Sequence, residues 1–470
     1  MNFFILLSIL ITLFCNVMTY DFPESKKKIL DSLINIQMNQ TNLHTLGLII
    51  VNHNSTLHKK IYGDDKTTFK TPFLLGSVSK SFTALALLHL NNFSFNDTLD
   101  KFGLENYIDE KDAKDITLGE LINHTSGLDS LSSKRLFKKG EFHYSNYGYS
   151  LLGKIIEKIT GENYQDFMRK NIFEPLKMNN TYAIYHKEII DSYDNFLGFR
   201  TKYKGIESEI GDGFYIPAGY ISSSIDDMGN YLQYYLDPKN DEYVSKMGKG
   251  TIDIGYNLKY GMGMMIQNKS GQIIYNHNGA TNSFLSLMGI YPKNDLAFFI
   301  VTNTRDGYCS DTTLQIMSNI ERFLLYDSYE SINSGVIFYK HFTLDVIIFV
   351  SISLPLIYLI ISIVRKFKKR KYSWFIGIKG IIIFIIDIFI LILYPFIAII
   401  FFYCYNSNIR YLAENSKDMK FFICTTFVVT ISTFILKLIY VFIYNKYFKK
   451  YEDINPKDVD KEVDYIKVDD

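Results

Sequence analysis

After His341 the sequence changes character abruptly. Three apolar segments, about Leu344 to Val364, Ile381 to Tyr403 and Phe421 to Tyr444, are each long enough to cross the roughly 30 Å core of a bilayer as a helix. Arg365, Lys366, Lys368, Lys369, Arg370 and Lys371 crowd the first connection, and Lys446, Lys449 and Lys450 follow the third segment. Basic flanks of that kind stay on the cytoplasmic side, which puts everything before His341 outside. The other end of the chain agrees: an apolar run from Phe3 to Phe14 followed by mixed sequence reads as a secretory signal, with cleavage expected near Thr19. Inside the second and third segments lie Asp387 and Lys437, at similar depth from their cytoplasmic ends; they are expected to pair, the alternative being that Lys437 snorkels to the interface and Asp387 is protonated.

The expected organisation is therefore a signal peptide over residues 1–19, an extracytoplasmic domain over 20–340, transmembrane helices over 344–364, 381–403 and 421–444, and a cytoplasmic tail over 445–470. A formal charge of +1 gives no electrostatic footprint for nucleic acid. Of the 4 cysteines only Cys309 lies outside the hydrophobic stretches, so the exported domain has no intrachain disulfide and must hold by packing. About 320 residues are enough for that.

Within the domain, Ser25 to Gln40 carries apolar residues at helical spacing, and Leu46 to Val51 and His58 to Tyr62 read as strands joined by a polar turn. A helix is expected to start after Thr117 and to end in a turn closed by Gly127. Another stops at Gly161, with Tyr144, Ser145 and Asn146 in the loop before it; Asn163 to Met178 continues the helical part, and Ser224 caps a further helix. Tyr260 to Ile266, Ile273 to Asn276, Phe284 to Tyr291 and Ala297 to Thr302 form an antiparallel meander, with His277 to Ala280 between its second and third runs. Strands at both ends of a helical block predict one α+β domain, its antiparallel sheet flanked by helices and completed by both chain ends, with the helical insert as a second lobe.

The chemistry-bearing stretch is Leu74 to Leu90, where Ser77 and Lys80 stand three residues apart and share one face of a helix's first turn. Ser77 is a candidate nucleophile, and a lysine drawn out of water beside it has a lowered pKa. Ser25 and Lys28 repeat the spacing in a solvated basic patch, so the pattern alone is weak.

In company it is specific. Ser77-Val78-Ser79-Lys80, Tyr144-Ser145-Asn146, His277-Asn278-Gly279 and the stretches Asn123 to Leu128 and Tyr147 to Met168 resemble, in that order, the serine β-lactamase and penicillin-binding-protein superfamily in its class C branch, over about residues 25–325. The resemblance implies acylation of Ser77, Tyr144 as a phenolate base stabilised by Lys80, and Asn146 holding Lys80 and a substrate amide. It also implies an oxyanion hole from the backbone N–H groups of Ser77 and Ala280, a substrate wall of Asn146, His277, Gly279 and Ala280, and no metal or organic cofactor. His277 stands where classical members carry a lysine; a shorter, largely neutral side chain argues against β-lactams and D,D-carboxypeptidase substrates. The His-x-Gly form resembles D-aminopeptidases and esterase-like members, and peptidases that ripen nonribosomal peptides also join this fold to three carboxyl-terminal membrane helices. The expected function is a membrane-anchored serine peptidase or amidase acting outside the cytoplasm on a small peptide, amide or ester. The alternatives are an esterase or transpeptidase-like acyltransferase, or an acylated receptor that does not turn over.

Overall fold

The computed structural model describes residues 22–330 apart from 42, 92, 197–198, 248–250, 270 and 306–309, together with isolated helical residues at 346, 353, 357, 361, 428, 432, 435 and 439. The chain divides into two compact units, residues 1–195 with 199–337, and 196–198 with 338–470. Apart from those isolated positions, the three apolar spans lie outside the described residues, as do the 1–19 signal, Cys309, Asp387, Lys437 and the tail. Among the described residues no helix is long and apolar enough to cross a membrane.

The first unit is built on an antiparallel sheet. Its strands are β1 (Leu46–Val51), β2 (Thr56–Tyr62), β3 (Ile252–Gly255), β4 (Leu258–Gly261), β5 (Met264–Lys269), β6 (Gln272–Ala280), β7 (Leu285–Tyr291) and β8 (Leu296–Thr302). They are ordered β2-β1-β8-β7-β6-β5-β4-β3, so β1 pairs with β8 and the two ends of the domain sequence close one sheet. Every residue of β1 is buried, because both faces are covered. Leu46, Leu48 and Ile50 pack with Phe298 and Ile300 under the terminal helices α1 (Glu24–Thr41) and α6 (Ser310–Tyr326). Ile49 and Val51, one residue out of phase, join Phe299 and Val301 on the opposite face against α5 (Ile225–Leu236).

The expected helical insert forms around α2 (Ser79–Leu88), α3 (Leu118–Ile122) and α4 (Asn146–Thr160). Local chemistry sets the ends: Thr117 and Glu120 make a capping box, Ser145 and Ser224 cap α4 and α5, and Gly161 closes α4 in the left-handed conformation. The insert does not have a core of its own, since Leu85, Leu121, Leu152 and Ile155 belong to the same apolar cluster as Ile49 and Phe299. Burial of such side chains is worth about 1.5–3 kcal/mol each and makes insert and sheet one cooperative body.

Four local expectations shift. Ser77 lies in a 3₁₀ turn, Gly76–Val78, ahead of α2, and Asn146 is the first residue of α4 instead of a loop residue. Tyr260 to Ile266 is a hairpin turning through Met262 and Gly263, both at positive φ. His277 to Ala280 continues β6, held by β7 through the pairs His277 with Met288 and Ala280 with Leu285.

Candidate active site

The 3₁₀ turn presents Ser77 half-buried between two buried neighbours, Gly76 and Val78. The end of β6 is pressed directly onto it. Gly76 has φ 56°, and a Cβ there would stand 2.3 Å from the Ala280 nitrogen; a Cβ on Gly279 would stand 2.0 Å from the Leu75 oxygen. Glycine is required at both positions for that approach. Ser286 Oγ donates to Leu75 O at 2.7 Å and fixes β7 to the same turn. The backbone N–H groups of Ser77, at the unsatisfied start of a helical turn, and of Ala280 are thus brought to one place.

From the other side comes the turn Ile216–Tyr220, bound to the Ser77 segment by Leu75 N–H donating to Ile221 O (2.9 Å) and Ile221 N–H donating to Ser79 Oγ (3.1 Å). Its Ala218 carbonyl accepts from Lys80 Nζ. Lys80 is 0% exposed, with Nζ 2.7 Å from Asn146 Oδ1 and 3.2 Å from Ser77 Oγ. Among the described residues it forms no salt bridge with a carboxylate, and burial pushes its pKa well below the ordinary lysine value. A neutral amine has two N–H donors and one lone pair. Two of the Nζ hydrogen bonds go to carbonyl-type oxygens, Asn146 Oδ1 and Ala218 O; the third contact is the Ser77 hydroxyl, which accepts from the protonated amine and can donate to the lone pair of the neutral one.

Tyr144 presents its ring face to Lys80, with Nζ 4.6 Å from the ring centre. Its buried hydroxyl makes no well-formed hydrogen bond among the described residues, and the Ser77 hydroxyl is the polar group beside it. Burial pushes its pKa above the ordinary phenol value, with the neighbouring Ser77 hydroxyl acting in the opposite sense. Burial thus disfavours the charged form of both Lys80 and Tyr144, and the phenolate expected for Tyr144 carries that cost. Asn146 holds Lys80 through Oδ1, while its Nδ2 lies 3.4 Å from Ser130 Oγ.

His277 departs from its expected place in the substrate wall: it is 1% exposed, its side chain turned inward on the buried face of β6. Burial, reinforced by the Lys80 charge, pushes its pKa down to about 4. The wall that remains open consists of exposed Ala280 and half-buried Asn278. The structure therefore gathers Ser77, Lys80, Tyr144, Asn146, Gly279 and Ala280 at one point and sets His277 behind them. Sequence reasoning did not find Ala218 or Ser130. Both act through groups that almost any residue, or any hydroxyl, could supply, so residue type carries no signal for them. Among the described residues no cluster of three His, Cys, Asp or Glu side chains could hold a metal ion.

A family described as Beta-lactamase matches residues 30–315. Among curated relatives the chain is similar to Beta-lactamase-like protein 4 of Dictyostelium discoideum, 28% identical over 259 residues, a match covering 45% of this chain and 45% of that protein. The chain thus spans less than half the length of that relative. A solved structure of an octameric penicillin-binding protein homologue from Pyrococcus abyssi is 25% identical, with a TM-score of 0.55 over 63% of this chain and 77% of that one. A D-stereospecific amidohydrolase from a Streptomyces species is 18% identical, with a TM-score of 0.52 over 64% of this chain and 98% of that one, a likeness of fold alone.

Proposed function

The chain belongs to the Beta-lactamase family, and on that premise we propose that it is a serine hydrolase that forms an acyl-ester on Ser77 from a small peptide, amide or ester. One observation carries the reading: a fully buried lysine with no carboxylate partner among the described residues, hydrogen-bonded to Asn146 Oδ1 and the Ala218 carbonyl and 3.2 Å from the serine oxygen. Burial favours the neutral form, in which such an amine is a base. As Ser77 Oγ bonds to the substrate carbonyl carbon, the serine proton passes to Lys80 Nζ. The carbonyl oxygen takes the negative charge between the backbone N–H groups of Ser77 and Ala280, donors fixed before the charge develops. Collapse breaks the C–N or C–O bond, and the leaving group takes a proton from the Lys80–Tyr144 pair. Water then attacks the acyl-serine and returns the proton to Ser77. Tyr144-Ser145-Asn146 in place of Ser-x-Asn supports placement in the class C branch. Amide substrates fit a neutral wall better than β-lactams, whose carboxylate requires a cation. If an amine or alcohol replaces water in the second half, the same site is an acyltransferase.

Action outside the cytoplasm on a membrane anchor is the second half of the reading. It is supported by the apolar run Phe3 to Phe14, the three long apolar segments and the basic residues from Arg365 to Lys371. A fluorophosphonate probe tests the chemistry. Wild type should label and Ser77→Ala should not, and a wild type that takes up no probe, ester or amide would sink the enzyme reading. Protease accessibility of the domain in intact cells tests the topology, which fails if residues 22–330 are shielded while the tail is cut.

A further inference from the structure

Behind the strand end lies a buried chain of three rings. The Ser145 N–H donates to His124 Nδ1 at 3.0 Å, so that nitrogen is an acceptor and neutral His124 carries its proton on Nε2. His124 Nε2 is 3.2 Å from the Tyr260 oxygen, which is 3.3 Å from His277 Nε2. At the far end His277 Nδ1 is 2.6 Å from the Asn278 carbonyl oxygen. A carbonyl can only accept, so Nδ1 holds the proton and Nε2 of the neutral ring holds the lone pair. With both ends fixed, His124 Nε2–H donates to Tyr260 and His277 Nε2 is left to accept; the single Tyr260 proton then has two acceptors in reach, His277 Nε2 and the Tyr149 oxygen. The backbone fixes both ends.

All three side chains are buried. His124 adopts φ 59°, a left-handed conformation that costs a non-glycine residue energy and aims its ring inward. The titratable groups around the chain are Lys80, Tyr144 and Tyr149. Tyr144 and Tyr149 have ring centres 4.3 Å and 5.0 Å from that of His124, and Tyr149 gives its own proton to the Ile122 carbonyl at 2.8 Å. Among the described residues neither histidine pairs with an Asp or Glu. Burial and the Lys80 charge push both rings below the ordinary histidine value of 6.5.

We propose that Tyr260, aimed by His124, is a positioning residue that, together with the Asn278 carbonyl at Nδ1, holds His277 as the neutral Nδ1–H tautomer, so that the layer directly behind the strand wall carries neither a cation nor a free ring donor, and the site takes acyl donors that lack a carboxylate next to the scissile bond. The substrate half of this rests on the serine-hydrolase reading; the tautomer half does not.

The test joins nitrogen-15 NMR of histidine-labelled full-length protein to kinetics on a matched pair of esters, one with a free carboxylate beside the scissile bond and one with that group amidated. In wild type His277 should be a single neutral Nδ1–H tautomer at pH 6, and the neutral ester should be favoured in kcat/KM by about tenfold or more. Tyr260→Phe keeps the ring and removes the donor. It should shift the His277 Nε2 resonance and shrink the preference severalfold through KM, with kcat little changed. His124→Asn, whose side chain tolerates the left-handed backbone, should act in the same direction and carries the test if Tyr260→Phe does not fold. A wild-type His277 that titrates near 6.5, an Nε2–H tautomer, or a preference that the variant carrying the test leaves intact overturns the proposal. Failure of wild type to react with fluorophosphonate would remove the hydrolase reading instead, and the NMR result would still decide whether Tyr260 sets the tautomer.

Discussion

Lysine, histidine and tyrosine come together twice in this domain, with opposite results. On the α1 side of the sheet, His58, Lys60 and Tyr62 of β2 all converge on Asp31 of α1, with His58 Nε2 at 3.1 Å, the Tyr62 hydroxyl at 2.6 Å and Lys60 in a short contact. At the candidate site Lys80, His277, Tyr144 and Tyr260 converge with no acid among the described residues. Burial alone would raise the Asp31 pKa, but the hydrogen bonds from Lys60 and Tyr62 and the charges of His58 and Lys60 hold it below the ordinary carboxylate value. That carboxylate makes its cluster an ion pair and a fastening between helix and strand. Where it is missing, burial drives the lysine and the histidine toward neutrality, and neutral amines and imidazoles do chemistry. Burial also pushes His58 down, but there the Asp31 carboxylate opposes it, and no carboxylate among the described residues does so for Lys80 or His277.

The sharpest way to break the comparison is to remove the amine. Lys80→Met should lower kcat/KM by about 10²–10⁴-fold while the melting temperature stays level or rises, because a buried polar group with exacting partners gives way to an apolar one. Loss of fold along with activity would show that Lys80 is a fastening after all. Next, an acid can be supplied. Asn146→Asp puts a carboxylate where Oδ1 now meets Nζ at 2.7 Å, which should keep Lys80 protonated and reduce kcat/KM at pH 7 by about 10²-fold. The activity limb assigned to Lys80 should move to higher pH, and an unmoved limb would mean that Lys80 is not the base. On the other cluster, Asp31→Asn leaves Tyr62, His58 and Lys60 short of their shared acceptor. Chemical denaturation should show a loss of about 1–3 kcal/mol, with kcat/KM within about twofold of wild type.

The smallest effect separates the two regions by pH. His277 is held neutral down to about 4, whereas the unfolded chain takes up that proton near 6.5, so between those values the unfolded state binds more protons and acidification favours unfolding. Asp31 has a folded pKa below 3.8, so its contribution is present above that value and is lost only as pH falls further. Melting temperatures measured across pH 3–7 should therefore lose part of their slope between 6.5 and 4 in His277→Asn, and only below about 4 in Asp31→Asn. Identical curves for both variants would dissolve the distinction.

The readings that held are those written in short stretches. Thr117 and Ser224 announce helix starts and Gly161 a helix stop, because each works through hydrogen bonds or φ angles within a few residues. The unbroken apolar run of β1 and the runs of β7 and β8 predict strands wherever they end up in the sheet. Ser77 and Lys80 were likewise legible as a pair, since their spacing alone keeps them neighbours. What failed at this range was fine placement. Tyr260 to Ile266 hides a hairpin because its turn residues include Met262, which carries no turn signal yet sits at φ 49°.

Only the tertiary structure decided what the pair can do. Lys80 meets Asn146 across 66 positions and the Ala218 carbonyl across 138, and the latter is a backbone group that any residue would provide. Whether an acid reaches Nζ, whether Tyr144 finds a donor, and whether His277 faces substrate or core depend on which distant segments pack against β6 and α2. A side chain's protonation is set by the solvent it loses and the partners it gains, and both are properties of the packed interior. The sequence by itself determined which residues could react and roughly where the chain would form helices and strands. Folding removed the water and, among the described residues, left Lys80 without a carboxylate, and so decided which of those residues are pushed toward their neutral forms.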